Sequence, residues 1–117
     1  MTKTAIIDFD GTLCRFEFPD VGPPEPKVKE ALVAIRQMGY IIRIHSCRTA
    51  TYWGNKDGRE HHIKAIKQFM FQNGLPFDEI IVDENMDKPI ADVYIDDRAI
   101  CYKGDWRDVV RQLPRQD

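Results

Sequence analysis

No stretch of this chain approaches the ~18 consecutive apolar residues of a membrane span; its apolar segments are broken by charged residues within a few positions. Cysteine is scarce: Cys14, Cys47 and Cys101 are odd in number, widely spaced and without a CxxC pair. That pattern yields neither a disulfide framework nor a zinc ribbon, and it suits a reducing compartment. No block of like charge is present, and a net charge of −2 argues against broad electrostatic binding of nucleic acid or anionic membrane, leaving room only for a local basic patch. Internal repeats, low-complexity tracts and linkers are also missing, so the 117 residues are expected to form one domain, 1–117, around a single core. The segment MTKTAIIDFD is too short and too acidic for a signal-peptide core, and the expectation is a cytoplasmic protein with no membrane partner.

What is present alternates. Residues 4–8 (TAIID) are β-branched and apolar up to the first acid, the pattern of a strand buried on both faces. Residues 13–26 hold too many prolines for a helix and predict a short flap or tight hairpin. Val28, Leu32, Ile35 and Met38 then recur at helical spacing from a start near Pro26, with Gly39 as the stop. YIIRIHS, residues 40–46, predicts a second strand opening into a loop at 49–58. His62, Ile63, Ile66, Phe69 and Met70 share one face of a helix over 59–73, ended by Asn73-Gly74. Strands over 79–83 and 92–96 and a short helix over 105–113 complete an α/β order. It implies a Rossmann-like three-layer sandwich with a mainly parallel sheet, active residues gathering at the carboxyl ends of the strands.

Three of these strand ends carry the polar groups. Asp8 and Asp10 follow strand one, Ser46 follows strand two, and Asp96 and Asp97 follow strand four. Four acids brought that close repel one another strongly in a low dielectric. A divalent cation is the natural neutraliser, and an all-oxygen shell favours Mg²⁺.

DFDGT at residues 8–12, the strand ending at Ser46, Lys88, and DVYIDD ending at Asp96 and Asp97 resemble, in order, the four motifs of the haloacid dehalogenase superfamily. The match runs from about residue 4 to residue 101. The resemblance implies a Mg²⁺-dependent phosphatase that hydrolyses a phosphate monoester through an aspartyl-phosphate. Asp8 would be the nucleophile and a metal ligand. Asp10 would be the acid for the leaving group and then the base for water, its backbone carbonyl a metal ligand. Ser46 would hydrogen-bond the phosphoryl group, Lys88 would neutralise it and hold Asp8, and Asp96 and Asp97 would complete the metal site. Gly11 would permit close backbone approach, and Thr12 would brace the loop. One departure stands out: Lys88 lies eight residues before Asp96 with Pro89 between, leaving no room for a full helix, and Lys56 and Lys64 are alternative lysines.

Arg48 in SCRT is placed to fork onto a substrate phosphate. Ser46-x-Arg48 and IDDR at 95–98 are also similar to the phosphatase domain of polynucleotide kinase-phosphatases, which implies a nucleotide or polynucleotide 3′-end as the alternative substrate. Tyr52 and Trp53 either stack on a substrate ring or anchor their loop, and Cys47 reads as packing. His45, His61 and His62 lack ligand spacing, and Asp83, Glu84 and Asp87 read as a solvated acidic loop. A phospho-accepting receiver domain also pairs acids, lysine and Mg²⁺, but it would put adjacent acids after strand one and its acceptor aspartate at the end of an interior strand, whereas here strand one ends DxDGT and strand two ends in Ser46. No cap domain fits between the motifs, so the site is expected to be open to a bulky phosphorylated substrate, or to a small one enclosed by a second copy in a homo-oligomer.

Overall fold

The structure, a computed structural model, describes residues 2–50, 53, 56–82 and 88–115. Its elements run β1 (Lys3–Ile7), α1 (Val28–Gln37), β2 (Tyr40–Ile44), a 3₁₀ turn (Cys47–Thr49), α2 (Lys56–Gln72), β3 (Glu79–Ile80), β4 (Val93–Ile95) and α3 (Trp106–Gln112). The four strands form one sheet in the order β3-β2-β1-β4, every pairing parallel. Among the described residues no helix is long and apolar enough to cross a membrane.

Register explains which side chains meet. Ile7 pairs with Ile44 on one side and with Ile95 on the other, and Ile44 pairs with Ile80, so one apolar row crosses the sheet just before its carboxyl edge. Ile7, Ile42 and Ile44 join Leu32 of α1 and Ile66, Phe69 and Met70 of α2 in one core. Phe9 extends that core beyond β1, its ring edge-on to Phe69 with centroids 5.2 Å apart. The opposite face is covered only in part: Ile41 and Tyr94 stay 39% and 45% exposed, and α3 buries no residue.

The helix expected from the His62 to Met70 face is present and begins at Lys56. In α1 the predicted apolar stripe loses its last member, because Met38 caps the helix and is exposed. The strand expected over 79–83 shortens to Glu79–Ile80, and the Asp83 end of it lies outside the described residues. Residues 13–26 form the expected flap as a tight hairpin: the Arg15 N–H bonds the Pro23 carbonyl, and the Glu25 N–H bonds that of Leu13.

The strand order opens a crevice at one edge of the sheet. The chain winds outward from β1 to β2 to β3 and then returns to β4 on the far side of β1. The carboxyl ends of β1 and β4 therefore flank a topological switch point, where open parallel sheets bind their ligands.

Candidate metal centre and its cleft

Backbone ladders carry the strand directions past the strand ends. The Asp8 N–H bonds the Ile95 carbonyl at 2.9 Å, and the His45 N–H bonds that of Ile7 at 3.0 Å. Asp8, Ser46 and Asp96 are thereby delivered to one edge, where all three line the same cleft. Carboxylate oxygens of Asp8, Asp96 and Asp97 lie within 4.8 Å of one another. Burial of Asp8 and then a hydrogen bond with Asp97 push its carboxyl up to about 7, with the charges of Asp96 and Asp97 adding to the rise and the Phe9 N–H opposing it. Three clustered carboxyl groups with hard oxygen donors fit a divalent cation, which would relieve that repulsion.

The turn after β1 is shaped for this cluster. Gly11 has φ +85°, and a Cβ there would collide with Oδ2 of Asp97. The close approach that glycine permits is thus to another acid of the cluster. Thr12 Oγ1 donates to Asp97 Oδ1 at 3.4 Å, and Asp96 Oδ1 accepts the Arg98 N–H at 2.6 Å. Ser46 is buried and caps the 3₁₀ turn, its Oγ accepting the Arg48 N–H at 3.1 Å. Its own hydroxyl proton meets no acceptor among the described residues and is available to a ligand.

Asp10 leaves the acid cluster. Arg48, 1% exposed, grips it as a fork: Nε donates to Oδ2 at 2.7 Å and Nη2 to Oδ1 at 2.8 Å. The remaining donors are also taken, Nη2 by the Asp20 carbonyl and Nη1 by the Pro19 carbonyl and His62 Nδ1. The guanidinium carbon lies 4.8 Å from the Phe18 ring centroid. Arg48 therefore has no N–H left for a substrate phosphate; it ties Asp10 to the flap. Burial, then the Arg48 charge, push His62 down from its ordinary value, so its neutral ring can accept from Arg48.

Lys88 is not brought to Asp8. Its ammonium sits 4.8 Å from the Tyr94 ring centroid, and among the described residues it forms no ion pair with the cluster. Arg98, which in the sequence stands out only as part of IDDR, lines the cleft together with the engaged Arg48. Its guanidinium lies 5.3 Å from the Phe16 ring centroid. Trp53 donates its Nε1–H to the Cys47 carbonyl at 2.7 Å and packs on Phe18 and His62. Cys47 is exposed at the cleft, whereas Cys14 is buried and pushed up to about 11, chiefly by burial. Tyr52, Asp83, Glu84, Asp87 and the Lys56 side chain lie outside the described residues.

No family model matches the chain, and no curated protein matches it. Among solved structures, a conserved protein from Bacteroides thetaiotaomicron is 24% identical, with a TM-score of 0.62 over 93% of this chain and 87% of that one. That likeness is one of fold. A crystallised target protein from Vibrio cholerae is 31% identical, with a TM-score of 0.59 over 85% of this chain and 83% of that one.

Proposed function

The chain belongs to the same family as the Vibrio cholerae protein, and from its own cleft we propose that it is a Mg²⁺-dependent phosphatase of the haloacid dehalogenase type, hydrolysing a phosphate monoester through an aspartyl-phosphate on Asp8. The observation that carries this reading is the convergence of Asp8, Asp96 and Asp97 at the switch point, with Ser46 on the same cleft. Asp8, Asp96 and Asp97 would hold the ion, which when bound offsets the charge of the acids and of the phosphoryl group.

Asp8 attacks phosphorus, forming an acyl-phosphate bond as the ester P–O bond breaks. The departing alkoxide takes a proton from Asp10. Water then attacks the phosphoryl group, gives a proton to Asp10, and frees the Asp8 carboxylate. Because both Asp10 oxygens are engaged by Arg48, each proton held on Asp10 displaces one arm of the fork. Ser46 donates its hydroxyl to a phosphoryl oxygen. Lys88 serves the phosphoryl group only by leaving the Tyr94 ring.

Phosphate release from a panel of phosphomonoesters, with and without Mg²⁺, tests this. The expected result is metal-dependent release that falls by more than about 10³-fold in Asp8→Asn. Folded, metal-binding protein that releases phosphate from none of the esters would overturn the reading.

A further inference from the structure

The cleft is lined by two chemically different sets of side chains. Asp8, Asp10, Ser46 and Asp96 are the acidic and hydroxyl groups of a cavity of about 510 Å³, and Phe16, Phe18, Ala50 and Trp53 are its apolar groups. A volume of that size accepts a small organic molecule rather than a bare phosphate ion. Phe18 and Trp53 are held by each other and by His62, the Trp53 and His62 centroids 4.6 Å apart, so that wall is preformed. Phe16 differs: it stands on the flap, half exposed, and among the described residues the only ring or cation against it is Arg98.

The wall has little to offer a sugar. The Trp53 indole N–H is spent on Cys47, and every Arg48 N–H is spent inside the protein. A polyhydroxylated leaving group would lose water there without gaining partners, a cost that a flat ring does not incur. A ring would instead cover the exposed face of Phe16 and meet Phe18 and Trp53 in the stacked or edge-on arrangements that aromatic groups favour. Arg98 has no carboxylate partner among the described residues. A guanidinium lying on a ring keeps its edge N–H groups free for an anion.

We propose that the site takes a phosphomonoester whose leaving alcohol carries a planar aromatic ring, and that Phe16 is the residue that selects it, with Arg98 beside it facing the phosphate. The proposal rests on the phosphatase reading for its phosphate and on the aromatic wall for its ring. The ring belongs either to an aryl group next to the phosphate or to a heteroaromatic base set back from it by an apolar linker.

The test separates ring recognition from phosphate chemistry. In Mg²⁺, affinities are measured by calorimetry for propylphosphonate, benzylphosphonate and an adenine-bearing alkylphosphonate, none of which releases phosphate. At least one ring compound is expected to bind about 10-fold or more tighter than the propyl compound, and the tighter of the two identifies the source of the ring. The preference should fall below about 3-fold in Phe16→Ala, survive in Phe16→Trp, and be unchanged in Val110→Ala on α3. Equal affinity for all three compounds, or a ring preference that persists in Phe16→Ala, overturns the proposal. Loss of the phosphatase reading registers elsewhere, as absent phosphate release with ring-selective binding retained.

Discussion

A buried guanidinium is stable only when its charge is matched and its donors are all accepted. Arg48 meets that condition because Asp10, Pro19, Asp20 and His62 converge on it from separate stretches of chain. Removing the arginine leaves Asp10 with an unmatched, largely buried carboxylate and the flap without its tie. Arg48→Met is therefore expected to lose about 3–5 kcal/mol in urea denaturation, with part recovered in the Arg48→Met/Asp10→Asn double variant. A loss below about 1 kcal/mol would mean that the fork behaves like an exposed pair. Residue type alone suggested a phosphate-binding arginine; what redirects it is the flap, whose carbonyls reach a position that no local pattern announces.

Among the elements, the turn after β1 is the most constrained. Its chain must reverse at Gly11 with φ +85° while leaving space for the Asp97 carboxylate. Alanine there meets both obstacles, so Gly11→Ala is expected to cost about 1–3 kcal/mol of stability and to weaken divalent-cation binding through displacement of Asp97. Calorimetric titration of metal into folded variant and parent checks this. Unaltered affinity would place Asp97 outside the metal site. The helices illustrate the opposite case. The periodicity that predicts α2 from His62, Ile66, Phe69 and Met70 is the same periodicity that buries them, because a helix face packs only where apolar residues recur every three or four positions. The apolar residues of α3 recur as well, yet Trp106 and Val110 remain 68% and 62% exposed.

For the molecule as a whole, the acid cluster links folding to pH. Asp8 holds its proton up to about 7 in the fold and only to about 3.8 in the unfolded chain. Between those values the native state binds more protons than the unfolded one, so stability conferred through Asp8 falls as pH rises. Metal-free protein is expected to melt at progressively lower temperature from about pH 4 to about pH 7 on this account. Mg²⁺ should raise the melting temperature more at the upper end of that window than at the lower, and Asp8→Asn should flatten the metal-free slope. A slope identical in Asp8→Asn would assign the pH dependence to other groups.

Strand and helix order, a mainly parallel sheet, the flap and the positions of the strand-end acids were legible in the residues alone. These follow from periodicity, from proline and glycine, and from the burial of β-branched runs, all local properties. Which acids meet was decided only by the β3-β2-β1-β4 order, because that order sets β4 beside β1 and so sets Asp96 and Asp97 beside Asp8. Tertiary structure likewise turned Arg48 inward to Asp10, left Lys88 on Tyr94, and set Phe16 against Arg98 in the lining of the cleft. A long cationic side chain reaches several partners from one backbone position, and the choice falls to whichever carboxylates, carbonyls and rings the rest of the fold carries within its reach.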